Sequence, residues 1–214
     1  MTRTIFWNVD TQYDFMRPDG KLAIAGAQNI EENLEHITKL AAERNIKVVN
    51  TADWHTTQSR EIVTGEFPEH CIQGTSGAEY VPATQPDDPY TISWTDKRFD
   101  AHKVIQHRNI ILYKDEFDVF HATGAPHTED VLDILHPNEV FVYGVATNVC
   151  VNDAVLGLLN YSKKRGRSID VYVIKDAIKE LPADIAGDVG PVLDRWSAEG
   201  AQYTTTASLD KILR

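Results

Sequence analysis

Val140-Phe141-Val142-Tyr143-Gly144-Val145-Ala146-Thr147-Asn148-Val149-Cys150 is the stretch from which the fold can be read. Val140–Tyr143 is a short β-branched and aromatic run, as expected of a strand covered on both faces. A tight Gly-Val-Ala-Thr turn follows it, and then a segment of helical period over Asn148–Arg165. Val151, Ala154, Val155, Leu158 and Leu159 form an i, i+3, i+4, i+7, i+8 stripe, and Gly166 supplies a stop.

The same alternation continues outward in both directions. Strands are predicted at Thr4–Asp10, Lys47–Ala52, Ile110–Lys114, Val140–Tyr143, Asp170–Lys175 and Ala201–Thr205. Helices are predicted near Ala27–Arg44, Thr128–Leu135, Asn148–Arg165 and Ala183–Glu199. This pattern implies the α/β class, as a three-layer α/β/α sandwich with a mostly parallel six-stranded sheet. The length of 214 residues suits a single domain over 1–214. Its segment of about 56–108 holds prolines and glycines but little periodicity, and reads as a functional loop or lid.

Composition narrows the function classes. A formal net charge of -11 argues against nucleic-acid binding, which concentrates Lys and Arg. The basic cluster Lys163-Lys164-Arg165 with Arg167 ends a predicted helix, where it complements the helix dipole in preference to forming an anion site. Cys71 and Cys150 are the only cysteines, too few for a disulfide scaffold. Met1-Thr2-Arg3-Thr4 runs straight into a strand, so no targeting peptide is expected. No apolar run approaches the ~20 residues of a membrane span. A cytoplasmic protein with no membrane partner is the expectation.

Polar residues at the strand ends fall on one edge: Asp10, Asp53 with His55, Lys114, and the loop reaching Cys150. Ligands of open α/β sheets bind beyond that carboxyl edge. At the start of a helix, Cys150 is either a small buried apolar residue or a nucleophile whose pKa the helix terminus lowers. Free N–H groups of the first turn would also receive an oxyanion. Asp10 and Lys114 are either an ion pair capping the sheet or the proton acceptor and counter-charge of that thiol.

A second group is Asp53 and His55, two apart and so on one side of a strand end, with His70 brought near by loop closure. One carboxylate and two imidazoles suit zinc, or otherwise iron or manganese. Glu61, preferred over Glu66, is the candidate fourth ligand. The alternative is a set of ordinary loop polar residues.

Five stretches together resemble the isochorismatase-like cysteine hydrolases, and within them the nicotinamidase/pyrazinamidase group. They are Asp10-Thr11-Gln12-Tyr13-Asp14-Phe15, Asp53-Trp54-His55, His70-Cys71-Ile72-Gln73-Gly74-Thr75, Lys114-Asp115-Glu116-Phe117-Asp118, and Gly144 through Cys150. The likeness runs from Thr4 to about Pro182. It implies a catalytic triad of Asp10, Lys114 and Cys150, and a cis peptide between Val145 and Ala146. It also implies an oxyanion hole from the Ala146 and Cys150 N–H groups. Asp53, His55 and His70 are implied as ligands of a divalent metal that holds a pyridine nitrogen, with Phe15, Phe67 and Val145 lining the ring pocket. A homo-oligomer is expected, since members of the family often assemble.

The chain departs from the group in two places. Thr56-Thr57-Gln58-Ser59-Arg60-Glu61 lacks the further histidine many members carry, and Asn148 stands where an aspartate is frequent. The expected function is hydrolysis of nicotinamide to nicotinate and ammonia through a Cys150 thioester. Two alternatives remain: a cysteine amidohydrolase of another small amide, carbamoyl or ureido compound, and a non-catalytic metal- or partner-binding module.

Overall fold

Seven strands pair into one parallel sheet in the computed structural model of the protein, which describes residues 3–121 and 123–213. Met1, Thr2 and Arg214, at the ends of the predicted 1–214 domain, lie outside the described residues, as does Ala122. The strands are β1 (Thr4–Val9), β2 (Lys47–Asp53), β3 (Tyr90–Ile92), β4 (Asn109–Lys114), β5 (Glu139–Val145), β6 (Asp170–Lys179) and β7 (Gln202–Thr204). Their order is β3-β4-β2-β1-β5-β6-β7. The helices are α1 (Tyr13–Met16), α2 (Glu31–Glu43), α3 (Arg60–Thr64), α4 (Ala101–Gln106), α5 (Thr128–Leu135), α6 (Cys150–Arg165), α7 (Ala183–Ala186), α8 (Val189–Glu199) and α9 (Leu209–Ile212).

The α/β class, the parallel sheet and the layering are as expected, but the sheet has seven strands, not six. The added strand is β3, inside the irregular segment, where Tyr90, Thr91 and Ile92 pair with Ile110, Ile111 and Leu112 of β4. Three residues are too few to leave a periodic signal, so pairing rather than local pattern defines this edge. The predicted helix Ala183–Glu199 is broken after α7 by Gly187 (φ 79°), and the Asp188 side chain caps α8 by accepting from the Gly190 N–H at 2.9 Å.

Side chains alternate across the sheet, as the two-residue strand period requires. Ile5, Trp7 and Val9 of β1 and Val140 and Val142 of β5 join Leu132, Val155 and Trp196 in one core layer, beneath α5, α6 and α8. Phe6, Val48, Phe141 and Ile174 join Leu34 and Ile37 of α2 in the other. Trp7 and Phe6 are fully buried, and each such side chain stabilises the fold by roughly 1.5–3 kcal/mol.

The chain winds one way from β1 to β4 and the other way from β5 to β7, so the topological switch lies between β1 and β5. In-register pairing sets Val9 opposite Gly144 and Asp53 opposite Lys114, which brings the carboxyl ends of four central strands to one level. Gly144 is required there. Its φ is 117°, and a Cβ would lie 2.1 Å from the Val9 carbonyl oxygen.

Candidate active site

Asp10 leaves β1 in a left-handed turn (φ 49°), with its N–H bonded to the Thr51 carbonyl at 3.2 Å. Asparagine and aspartate are among the few side chains that accept this backbone region. Its Oδ1 accepts from the Thr51 hydroxyl at 2.6 Å. Lys114 ends β4 fully buried, a position a cation occupies only among compensating charges. The Lys114 Nζ lies 3.0 Å from Asp10 Oδ2 and 3.8 Å from Cys150 Sγ, and it donates to Asp53 Oδ1.

Asp53 therefore belongs to both groups read from the sequence. Its Oδ1 meets Lys114, while its Oδ2 lies 3.6 Å from both His55 Nε2 and His70 Nε2. Gln12 locks it in place: its Nε2 donates to the Asp53 carbonyl at 2.7 Å and its Oε1 accepts from the Asp53 N–H at 2.8 Å.

Burial and opposing charge set the proton positions. Burial pushes Asp10 up and Lys114 pulls it back, leaving its carboxyl above the ordinary aspartate value. For Asp53 burial is outweighed by Lys114 and by the two histidines, which hold it well below that value. Burial would discharge Lys114, but Asp10 and Asp53 together raise it well above the ordinary lysine value. The thiol departs from the expectation that a helix terminus lowers its pKa. Burial, with the charges of Asp10 and Asp53, pushes Cys150 well up despite Lys114.

The histidine cluster hangs on loops. His55 forms an isolated parallel bridge with Ile72, its N–H bonding the Cys71 carbonyl at 3.1 Å and its carbonyl accepting from the Gln73 N–H at 2.9 Å. This carries His70 beside Asp53 and His55, whose ring centroid is 4.9 Å from that of His70. The His70 Nδ1 lies 2.8 Å from the Pro68 carbonyl oxygen, and the His55 Nδ1 lies 3.2 Å from Asp115 Oδ1. Both partners accept only, so both Nδ1 atoms carry the proton and both Nε2 atoms turn toward Asp53.

One ligand atom each of Asp53, His55 and His70 falls within 4.8 Å of the others. Glu61, on α3, brings Oε1 to 2.8 Å from His55 Nε2, whereas Glu66 faces Arg60 at 3.9 Å near the surface. His55 Nε2 and Glu61 Oε1 are buried and make no hydrogen bond. Burial would lower the His55 imidazole, but Asp115, Asp53 and Glu61 raise it to about 11. A field that holds a proton so firmly also suits a cation, and the donor set fits a divalent metal.

A narrow cavity joins the two groups. Its wall is largely apolar, formed by Phe15, Leu22, Ile24, Phe67, Phe117, Val149 and Leu181, with Asp53, Glu61, His70, Ala146 and Cys150 at the reactive side. Phe15 and Phe67 flank His70, their ring centroids 5.4 and 6.2 Å from its own. Val145, expected in this wall, is instead fully buried in the core layer beneath α2, because strand alternation turns it away. The Val145–Ala146 peptide is cis. A larger cleft, lined by Arg3, Ile46, Lys47, Ile105 and Leu213, lies at the opposite end of the sheet and holds none of these groups.

Several contributors escaped the sequence reading. Leu22, Ile24 and Leu181 carry no chemical signal, but Asp115 and Phe117 stand in the same stretch as Lys114. The Asn148 amide accepts from the Leu181 N–H at 2.9 Å and donates to the Leu181 and Gly187 carbonyls at 3.0 and 2.9 Å. Aspartate has no donors for the last two, which accounts for asparagine at this position. The basic cluster at the end of α6 is spent on ion pairs with Glu199, Glu129 and Asp133.

Residues 4–207 match the Isochorismatase domain model. The chain is 28% identical to a nicotinamidase of Acinetobacter baylyi, over 94% of this chain and 92% of that one. It is 23% identical to a nicotinamidase of Saccharomyces cerevisiae, over 82% of this chain and 94% of that one. In fold it resembles the pyrazinamidase of Pyrococcus horikoshii solved in complex with zinc, with a TM-score of 0.71 at 24% identity, covering 95% of this chain and 99% of that one. Among the described residues no helix is long and apolar enough to cross a membrane.

Proposed function

The chain belongs to the isochorismatase family, and from that premise we propose that it hydrolyses nicotinamide to nicotinate and ammonia, with Cys150 as nucleophile. The observation that carries this reading is the sharing of one small apolar cavity by Cys150 and the Asp53–His55–His70 cluster. Asp53, His55 and His70, with Glu61 within reach, would hold a divalent metal, zinc being the ion their donors suit best. Such an ion would supply a positive point for a ring nitrogen.

The protein's own groups account for the acyl transfer. Asp10, raised by burial, accepts the Cys150 proton as Sγ bonds to the amide carbon. The carbonyl oxygen becomes an oxyanion, and the N–H groups of Ala146 and Cys150 receive it. Asp10 passes the proton to the amide nitrogen, the carbon–nitrogen bond breaks, and ammonia leaves a Cys150 thioester. Asp10 then takes a proton from water as that water attacks, and the proton returns to Sγ when the acid departs. Lys114 stays charged and steadies the thiolate and both carboxylates.

The cavity wall favours this substrate over ureido acids. Lys114 is engaged by Asp10 and Asp53, and among the described residues neither Lys nor Arg lines the cavity to meet a substrate carboxylate. A flat neutral ring between Phe15 and Phe67 needs no such partner. The whole chain acts as one domain in this reading, with the segment 56–108 supplying Glu61, Phe67 and His70 to the cavity. Ammonia release from nicotinamide, pyrazinamide and a ureido acid tests it. Turnover of the first two alone is expected. A preference for the ureido acid would favour the second substrate class, and silence with all three would favour a binding module.

A further inference from the structure

Asp115 has no part in the acyl transfer, yet it is tied to the site from behind. Its Oδ1 lies 3.2 Å from His55 Nδ1 and also accepts from the Ser59 hydroxyl. Ser59 is itself buried, and its Oγ accepts from the Thr56 N–H at 2.9 Å. The Asp115 N–H is bonded to the Gly124 carbonyl at 3.1 Å, so the backbone that carries the carboxylate is anchored too. The two histidines are thus backed differently, His70 by the neutral Pro68 carbonyl and His55 by a carboxylate.

We propose that Asp115, steadied by Ser59, is a positioning residue that fixes His55 as the Nδ1–H tautomer and makes its Nε2 the stronger nitrogen donor to a divalent metal. This rests on the metal-binding reading above. A carboxylate that accepts from Nδ1–H fixes the ring plane and increases electron density at Nε2. The adjacent residues Lys114 and Asp115 then divide the end of β4 between the two halves of the site. Lys114 reaches the thiol, and Asp115 reaches the back of the metal cluster.

The test is zinc affinity of the metal-stripped full-length protein, measured by competition with a chromophoric chelator. Asp115→Ala is expected to weaken zinc binding roughly 10–100-fold, the range for loss of such a supporting carboxylate. Asp115→Asn, which can still accept from Nδ1–H without a charge, should fall between that variant and the parent, and Ser59→Ala should cost less than either. Nitrogen-15 NMR of the zinc-loaded proteins separates positioning from a general loosening. The His55 Nδ1–H should give a sharp, slowly exchanging signal in the parent and in Asp115→Asn, and a broadened, rapidly exchanging one in Asp115→Ala. Equal zinc affinity in parent and Asp115→Ala, or an unchanged Nδ1–H signal, would overturn the proposal alone. A parent protein that binds no zinc would overturn it together with the metal reading.

Discussion

Asp10, Lys114 and Cys150 stand at the ends of strands or the start of a long helix, where the sheet ladder fixes them. His55, His70 and Glu61 stand on loops and a five-residue helix, held by scattered side-chain bonds. The two halves meet at Asp53, one oxygen facing each. The difference separates robustness from adjustability. The strand-end group cannot shift unless β1, β4 and β5 shift with it, whereas the histidine group depends on a few contacts that single substitutions can remove.

The largest effect should come from the rigid half. Cys150→Ala should lower nicotinamide turnover by about ten-thousandfold or more, as loss of a nucleophile does elsewhere. Its zinc affinity should stay near that of the parent, since Cys150 is not among the cluster's donors. If turnover and zinc binding fell together, the two halves would not be separable as described.

The converse variant is Gly77→Ala. A Cβ at Gly77 would lie 2.1 Å from Asp14 Oδ2, the atom that accepts from the Cys71 N–H at 2.8 Å beside His70. Zinc affinity should drop by roughly 10–100-fold as that support is disturbed. Alkylation of Cys150 by iodoacetamide should proceed at the parental rate. Slower alkylation would mean that the loop also shapes the rigid half.

An acid limb in the pH profile of kcat/KM gives a smaller, graded effect. The Asp10 carboxyl is raised above the ordinary aspartate value by burial, so its basic form is lost on acidification at a higher pH than usual. The acid limb should therefore lie above about pH 4, the range of an unperturbed aspartate. A profile flat down to that pH would remove Asp10 from the role of base.

The smallest effect concerns Asp153, one turn along α6 from Cys150. Burial, with the nearby Asp118, raises its carboxyl from 3.8 to about 6. The folded pKa lies above the unfolded one, so stability is greatest while the group is protonated and declines as pH rises through about 6. Asp153→Asn should raise Tm above that pH and leave it nearly unchanged in acid. Thermal melts at both pH values check this, and a lower Tm under alkaline conditions would contradict it.

The rigid half was the more legible in the sequence for the same reason that it is rigid. A charge ending an apolar strand is costly without a partner, so Asp10 and Lys114 stand out locally, and parallel strand order brings them to one edge. The division of Asp53 between Lys114 and the histidines was not legible. Residue spacing gives a strand end two neighbours on one face but does not say which oxygen meets which partner. The upward push of burial on the Cys150 thiol was not legible either, because sequence does not quantify burial. Val145 was carried into the pocket by its place in the motif, although strand alternation turns it into the core. β3 and Leu181 depend on long-range pairing and on a loop pinned by Asn148, and neither leaves a local pattern.

The two halves are joined in one reaction only if the loop cluster contributes to turnover by the strand-end thiol. The direct measurement is ammonia release from nicotinamide by the full-length protein, before chelation, after chelation and after zinc is returned. The account predicts a loss of at least about tenfold on chelation, in line with the importance of metal-site contacts, and recovery with zinc. Undiminished release from the metal-free protein would contradict it and leave Cys150 serving a reaction in which the histidine cluster takes no part.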